Sequence, residues 1–370
     1  MTTPNTECRK PLRILHTEAA TSFGGQEHRI FKEMLAMRER GHHLELVCQA
    51  EAALAERTRS EGFRVHEVVM AGPRSFAVAA MHIARILRQG GFDVVNTHSR
   101  TDTMSAAAAG RLVRTPLIVR TRHLAIPPGS LISYTGLPHR VIAVSEHVRR
   151  LLIGRGAAPE KIATVMDAIV LPRPVDAAIL RHELGLSPDA IVIGSVGHMR
   201  ERKGHPDLVA ASIPLIRSRP NLHLVIAGEG EPLLTSLREQ VASEGLGDRI
   251  HLLGRRRDIA NLLSGFDIFA LATKSEALGT AYLEAAACGL PLVGTNVGGV
   301  PEIIEEGVNG LLVEPGNRAQ LADALSRLVD DPALRARLGE AARAKVAGDP
   351  RFSVGYMAEA TESLYYQWLR

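Results

Sequence analysis

The chain has 370 residues, of which 45% are hydrophobic and 23% are charged, and its formal net charge is +4. Because one hydrophobic core stops growing at roughly 250–300 residues, we expect two domains. The aromatic content of 4% and the small net charge argue against a nucleic-acid-binding protein, which would carry a basic stripe interleaved with aromatic side chains.

The cysteines and the apolar segments indicate a cellular compartment. Cys8, Cys48 and Cys288 are far apart and lack the spacing of a metal site, which favours a reduced, cytoplasmic protein. The first residues lack a signal-peptide pattern, and no apolar stretch approaches the roughly 18 residues of a membrane span. We therefore expect a cytoplasmic protein that associates at most peripherally with the inner face of the membrane. The oligomeric state stays open.

Short apolar segments alternate with amphipathic, helix-length segments through the first half of the chain. Glu27–Arg40 and Val78–Gln89 have apolar residues at helical spacing. Strands alternating with helices of this length predict parallel sheets joined by right-handed crossovers. The segments that we predict as buried strands are 12–17, 43–49, 92–98, 116–123 and 140–145.

The same alternation restarts in the second half, after a segment at 166–190 that has three prolines and no clean period. We interpret that segment as an interdomain linker. The tail from Arg351 has helical spacing and holds the only tryptophan, Trp368, so we expect it to pack back across the domain junction. The predicted strands of this half are 190–197, 222–230, 249–254, 267–272, 291–296 and 309–315.

Residues 274–302, KSEALGTAYLEAAACGLPLVGTNVGGVPE, combine two glutamates with many glycines. We predict a helix that begins at Gly279 and Thr280 and ends before Gly289. The free amides of its first turn follow a strand and are suited to an anion, and Gly279 lets a phosphate approach. Glu276 and Glu284 are able to accept hydrogen bonds from sugar hydroxyls on either side of a diphosphate. On spacing alone, two solvated surface glutamates remain the simpler interpretation.

The surroundings of these glutamates favour a binding site. The segment GHMRERKG follows the predicted strand 190–197 and places Gly197 at its end, with Arg200, Arg202 and Lys203 beyond. A run of charged residues usually lies on a solvent-exposed surface. In parallel α/β sheets, however, ligands bind at the carboxyl ends of strands, where this segment is predicted to lie. A second glycine pair, in TNVGGVPEII, follows the strand at 291–296.

These motifs resemble those of glycosyltransferase family 4, also called glycosyl transferases group 1, which are retaining enzymes. The resemblance is strongest in the second half of the chain, in the segments VGHMRERKG, LVIAGEGE, the run from RIHLLG to GGVPEII, and EGVNGLLVEPG. The first half matches more weakly, in TSFGGQEHRI, VVNTHS, RTRHL, VIAVSEHVRRLL and GRGAAPEKIATV. The resemblance implies the GT-B fold, an α/β architecture of two Rossmann-like, doubly wound parallel-sheet domains facing a central cleft. It implies an acceptor-side domain at 1–172, a donor-binding domain at 173–350 and a terminal helix at 351–370.

The resemblance also implies roles for residues in the second half. Glu284 would bind the ribose hydroxyls of a nucleotide-sugar donor, and Glu276 would contact the transferred sugar. The amides of Gly279 and Thr280 would hold the distal phosphate or sugar hydroxyls. Lys203 would neutralise the departing diphosphate.

This chain departs from the family pattern in one place on the phosphate side. An arginine is common directly after Gly197, where this chain has His198. The second cation would then come from Arg202 or Arg200, and we favour Arg202 because it adjoins the lysine. Gly254 and Arg255 resemble the segment that lines the nucleotide base.

In the first half, Gly24 and Gly25 resemble a loop that approaches the donor phosphates and the acceptor, although a simple tight turn explains them equally well. His123 matches a histidine placed near the transferred sugar. His98 is a weaker candidate, because one histidine at a strand end is often only a satisfied core group.

The implied reaction needs no protein nucleophile. The leaving diphosphate can take the acceptor proton on the same face of the sugar, so the protein neutralises charge and positions the reactants. The sequence has no Asp-x-Asp pair and no His/Cys cluster with ligand spacing, so we expect neither a metal nor another cofactor.

Two other functions share this architecture. They are a nucleotide-sugar epimerase and a non-catalytic nucleotide-sugar-binding subunit, and both would retain donor binding. The sequence does not choose among UDP-, GDP- and ADP-linked donors. A bacterial envelope glycan or a lipid-linked molecule is expected as the acceptor by analogy with the family.

Overall fold

The computed structural model describes residues 10–70, 72–171 and 178–370, and its contacts divide the chain into two compact units. The first unit comprises the chain up to Ala168 together with Ser353–Arg370, and the second comprises Ile169–Phe352. Cys8 and residues 172–177 of the predicted linker lie outside the described residues, whereas a short helix occupies Ala178–Glu183 within that linker.

The first unit is built on a parallel sheet of seven strands in the order β3-β2-β1-β4-β5-β6-β7. The reversal of strand order beside β1 makes the sheet doubly wound. The strands are β1 Arg13–Glu18, β2 His43–Cys48, β3 Arg64–Glu67, β4 Val94–Thr97, β5 Leu117–Arg122, β6 Arg140–Ala143 and β7 Ile162–Thr164.

Helices cover both faces of this sheet. One apolar cluster joins the sheet to the first and last helices of the chain, and another joins it to the third and fourth. Burial on both faces explains why the central strands are apolar runs rather than alternating ones. The helices of this unit are α1 Gly25–Glu39, α2 Ala53–Ser60, α3 Gly72–Gly90, α4 Arg100–Val113, α5 Glu146–Gly154 and α14 Val354–Leu369.

The second unit has a parallel sheet of six strands in the order β10-β9-β8-β11-β12-β13. The strands are β8 Ile191–Val196, β9 Leu222–Ala227, β10 Ile250–Gly254, β11 Ile268–Ala270, β12 Leu292–Thr295 and β13 Gly310–Val313. The helices are α6 Ala178–Glu183, α7 His205–Ser218, α8 Leu233–Ser243, α9 Ile259–Gly265, α10 Thr280–Ala287, α11 Val300–Ile303, α12 Arg318–Asp330 and α13 Pro332–Gly348.

Each strand predicted from the sequence is present, with ends that differ by at most three residues. Both sheets are parallel, as the alternation of strands and helices predicted. The prediction of an α/β fold with two doubly wound parallel sheets is therefore confirmed. The sequence reading missed β3 and β7, which are the two edge strands of the first sheet.

The terminal helix α14 completes the core of the first unit. It packs against α1, and Met357, Ala358 and Tyr365 are fully buried in the same apolar cluster as Ile14. The amide Nδ2 of Asn96 on β4 donates a hydrogen bond of 2.9 Å to the Tyr365 hydroxyl. Helix α14 is thus an integral part of this unit, even though it is distant from it in sequence.

No helix within the described part of the chain is both long enough and apolar enough to span a bilayer.

Candidate functional site

Lys203 and Glu276 form an ion pair at the carboxyl edge of the second sheet. Lys203 ends a 3₁₀ turn that follows β8, and Glu276 lies in the loop that follows β11. Because β8 and β11 are adjacent and parallel, the two loops leave the same edge. Lys203 Nζ lies 2.6 Å from Glu276 Oε2, and the two side chains are only 16% and 12% exposed. The structure therefore brings together two residues that the sequence had selected separately.

Backbone contacts fix the position of the lysine loop. The amide of Lys274 and the hydroxyl of Thr273 both donate to the carbonyl of Arg202, over 2.7 Å and 2.9 Å. Gly204 has φ +70°, and a Cβ added there would lie 1.7 Å from the carbonyl oxygen of Ala272. Glycine after Lys203 is thus required by the close approach of the two loops.

The second glycine pair supports the loop that carries Glu276. The amide of Gly299 donates to the Glu276 carbonyl over 3.1 Å. Gly298 has φ +63°, and an added Cβ would lie 1.9 Å from that same oxygen. The glycines after β12 therefore let the chain pack directly on the backbone of Glu276.

Helix α10 begins at Thr280 with Gly279 at its N-cap, as the sequence predicted. Gly279 has φ +102°, and no side chain caps the helix. An added Cβ at Gly279 would lie 2.8 Å from the ring of Tyr282, so the fold itself favours glycine here. Glu284 is the fifth residue of the helix and is half-buried. The amide of Tyr282 donates to the Gly279 carbonyl over 2.9 Å, so the amides of Gly279 and Thr280 are the ones that would bind an anion.

Of the remaining predicted donor-binding residues of the second unit, Gly197 and Arg202 follow β8, and Arg255 follows β10. The Gly197 amide donates to the Ala227 carbonyl over 3.0 Å. Burial, and then the charge of Arg200, lowers the pKa of His198 below its ordinary value. The Arg202 side chain has no ion pair within 4.0 Å among the described residues. Arg255 is exposed and lies 3.5 Å from Glu229.

The first unit places three histidines in a row across neighbouring strands: His16 lies within β1, and His98 and His123 directly follow β4 and β5. His16 Nδ1 lies 3.0 Å from His98 Nε2, and His98 Nδ1 lies 3.0 Å from His123 Nε2. His16 and His98 are buried, whereas His123 is half-buried. The sequence-based prediction named His123 and His98 as candidate site residues. It did not name His16, which it placed in the buried strand 12–17.

The predicted glycine loop of the first unit leads into α1. Gly24 is the N-cap residue, and its amide donates to Glu27 Oε2 over 2.7 Å. Gly24 has φ −131°, and an added Cβ at Gly25 would meet nothing within 4 Å. The fold therefore does not itself demand glycine at 25, and the ligand-approach role stays a prediction.

Glu18, at the end of β1, is a buried carboxyl group that was not selected from the sequence. It is fully buried and accepts a hydrogen bond from the Ala20 amide over 2.8 Å. Burial, and then the charge of Asp102, raises its pKa to about 8. A carboxyl group that is protonated near neutral pH is a common feature of functional sites, although its sequence context gives no signal.

Within the described ranges, no three or more His, Cys, Asp or Glu side chains are grouped so as to hold a metal ion.

The fold matches those of solved glycosyltransferases with the GT-B architecture. A glycosyltransferase from Rickettsia africae ESF-5 has a TM-score of 0.88 at 23% identity, covering 98% of this chain and all (100%) of that one. Anabaena Alr3699/HepE in complex with UDP and glucose has a TM-score of 0.83 at 23% identity, covering 95% and 99%. At this level of identity, the likeness establishes the fold.

The sequence comparisons give the family. Residues 23–178 match the model described as Glycosyltransferase Family 4, and residues 176–345 match the model described as Glycosyl transferases group 1. Together the two matches extend from residue 23 to residue 345. The chain thus belongs to the family 4, or group 1, glycosyltransferases.

Its curated relatives include enzymes with different donors and acceptors. N-acetyl-alpha-D-glucosaminyl L-malate synthase of Bacillus anthracis is 32% identical over 195 residues, 53% of this chain and 50% of that protein. The GDP-mannose-dependent monoacylated alpha-(1-6)-phosphatidylinositol monomannoside mannosyltransferase of Corynebacterium glutamicum is 34% identical over 185 residues, 48% of each. The matched region is thus about half the length of these two relatives. The D-inositol 3-phosphate glycosyltransferase of Actinosynnema mirum is 28% identical over 361 residues, 85% and 86%.

Proposed function

We propose that this protein transfers a sugar from a nucleotide-sugar donor to a hydroxyl group of an acceptor, with retention of the anomeric configuration. The observation that carries the proposal is the ion pair of Lys203 and Glu276, with 2.6 Å between Nζ and Oε2. The two residues lie in loops that follow β8 and β11, and the Glu276 loop leads into α10, whose first turn has no side-chain cap. A cation, free amides and a carboxylate are what a sugar diphosphate requires.

Lys203 would stabilise the diphosphate as it departs. Negative charge concentrates on the leaving phosphate oxygens in the transition state, so a preorganised cation lowers the barrier more than it strengthens binding. Glu276, which holds the Lys203 ammonium group in this structure, would meet the transferred sugar. Gly279 and Thr280 would supply backbone amides to the distal phosphate or to the sugar hydroxyls.

Arg202 is the better candidate for the second phosphate cation. Its side chain has no ion pair within 4.0 Å among the described residues. His198 is a poor substitute, since burial and the charge of Arg200 lower its pKa and favour the neutral ring. Gly197, Arg255, Gly24, Gly25 and His123 keep the donor-side or sugar-side roles that the family resemblance implies for them.

A Glu284→Gln substitution should weaken donor binding more than it slows the chemical step. A ribose contact is present in both the ground state and the transition state, so its loss raises the donor KM with a smaller loss of kcat. Steady-state kinetics with varied donor concentration measure both constants. An unchanged donor KM would remove Glu284 from the ribose site.

The nucleotide and the sugar can be identified by ligand stabilisation. One relative is GDP-mannose-dependent, and one structural neighbour was solved with UDP and glucose, so both nucleotides are candidates, with ADP-linked sugars as a third class. A ligand at one hundred times its dissociation constant adds about 2.7 kcal/mol to the free energy of unfolding. Thermal unfolding in the presence of each donor would therefore single out the one that binds.

An epimerase and a non-catalytic donor-binding subunit remain the alternatives. A transferase releases nucleoside diphosphate in step with glycosylated acceptor, whereas an epimerase interconverts donors without an acceptor and a binding subunit does neither. Release that depends on an acceptor hydroxyl would exclude both alternatives. We propose an envelope glycan or a lipid-linked acceptor, used in the cytoplasm at the inner face of the membrane, and no metal or other cofactor.

A further inference from the structure

The three histidines of the first unit form a continuous chain of neutral imidazoles. Burial, and then the charge of Arg29, lowers the pKa of His16 to about 3. Burial, and then the charges of neighbouring histidines and arginines, lowers the pKa of His98 well below 6.5. Burial, and then the charges of Arg29, Arg120, Arg122 and Lys32, does the same for His123. Each ring therefore carries one N–H and one bare nitrogen at neutral pH.

The geometry links the three tautomers. Both ring nitrogens of His98 lie 3.0 Å from a nitrogen of another histidine. A neutral His98 donates one of these hydrogen bonds and accepts the other, so all donors in the chain point the same way. Two arrangements satisfy this condition. In the first, each ring donates its hydrogen bond in the direction from His16 to His123. In the second, each ring donates in the direction from His123 to His16.

The buried end of the chain selects one direction. His16 is fully buried, and its Nε2 has no hydrogen-bond partner among the described residues. If the protons ran towards His16, this atom would be an orphaned N–H, which is costly and rare in protein interiors. The positive charge of Arg29 also favours a bare nitrogen over an N–H on the neighbouring ring. His16 should therefore donate through Nδ1.

We propose that His98 is a positioning residue that holds His123 as the Nδ1–H tautomer, so that His123 presents an N–H donor to a sugar hydroxyl. The inference rests on the proposed function, in which His123 meets the sugar. His16 Nδ1–H donates to His98 Nε2, and His98 Nδ1–H donates to His123 Nε2. The proton of His123 is then on Nδ1.

The backbone around His98 is held rigidly enough for this role. Asp102 is fully buried, and its Oδ2 accepts hydrogen bonds from the His98 amide over 2.9 Å and from the Thr17 hydroxyl over 2.7 Å. Its Oδ1 accepts from the Ser99 amide over 2.7 Å, in a capping box that begins α4. The carboxylate thereby fixes the end of β4 against β1, which preorganises the middle ring.

Ring-nitrogen NMR of the full chain, labelled with ¹⁵N-histidine, reads the tautomer directly. Variants at 16, 98 and 123 assign the signals. We expect His123 to have a pyridine-type Nε2 and a protonated Nδ1. A proton on Nε2 of His123 in the wild-type protein would overturn the proposal. The NMR measurement of the His123 tautomer needs no turnover. It therefore separates a failure of the inference from a failure of the proposed function, which would appear as absent sugar transfer.

Two substitutions test the positioning role kinetically. His98→Phe keeps a ring but donates nothing, so His123 should populate both tautomers and kcat should fall about 10-fold or more, with little change in donor KM. His98→Asn places an amide N–H near the position of Nδ1, so it should restore the Nδ1–H tautomer and part of the rate.

The matched control is His223→Phe in the second unit. His223 and His251 form another histidine pair, with 3.4 Å between their ring nitrogens. Removing the His223 ring should leave kcat unchanged. If His98→Phe left the His123 tautomer and kcat as they are in the wild type, His98 would be only a core residue. If His98→Phe failed to fold, the wild-type spectrum and the His98→Asn rate would still decide.

Discussion

Replacing Lys203 by alanine should lower kcat by about 100-fold or more, in line with the loss of one preorganised charge donor from a transition state. The ammonium group lies 2.6 Å from Glu276 and is 16% exposed, so it is held in place before any ligand arrives. Removing it would take away the cation that we propose for the leaving diphosphate, and it would leave Glu276 without its ion-pair partner. Steady-state kinetics with saturating donor and acceptor measure the loss.

Two further variants give this prediction its controls. Lys203→Arg should recover part of the rate, because the charge returns with a different reach. Lys274→Ala removes a lysine whose Nζ lies 3.2 Å from Asp207 Oδ2. Asp207 keeps its ion pair with Arg318, so this substitution should change kcat by no more than about two-fold. Full activity of Lys203→Ala would make Lys203 an ordinary surface cation and would end the proposed mechanism.

Removing residues 351–370 should destabilise the first unit severely or prevent its folding. The deletion takes away fully buried Met357 and Tyr365 and exposes the apolar side of α1 and the sheet. Burying one such side chain contributes about 1.5–3 kcal/mol, and natural domains are stable by only about 5–15 kcal/mol. Expression, solubility and thermal unfolding of the truncated chain measure the effect.

Two tyrosines of α14 provide a matched pair for the same prediction. Tyr365→Ala should cost about 3–5 kcal/mol, the range for deleting a buried aromatic ring, and it also leaves the Asn96 amide without this partner. Tyr356 is 41% exposed on the same helix, so Tyr356→Ala should be nearly neutral. A truncated chain that unfolds at the wild-type temperature and stays in solution would show that α14 is dispensable.

The sequence predicted the central strands well and missed two edge strands, for a physical reason. Strands such as β8, buried on both faces, need continuous apolar residues, and that pattern is visible in the sequence. β3 is four residues, RVHE, and β7 is three, IAT, and each pairs with a single neighbouring strand. Short strands of this kind depend on their one partner and leave little pattern in the sequence.

The candidate site was predictable in its parts but not in its contacts. The loops of Lys203 and Glu276 were placed at strand ends from the sequence, but their ion pair depends on β8 and β11 being neighbours. Strand order is a tertiary property. The same is true of His16, whose position is informative only because β1 lies beside β4, and β4 beside β5, so that three histidines from distant segments meet.

The most direct measurement of the proposed sugar transfer is the release of nucleoside diphosphate from the donor identified by ligand stabilisation. It should be made with and without an acceptor, and in the presence of EDTA, with Lys203→Ala as the control. We expect release that accompanies a glycosylated product, that persists in EDTA and that falls about 100-fold or more in the variant. Donor binding without acceptor-dependent release, or activity abolished by EDTA and restored by magnesium, would contradict this expectation.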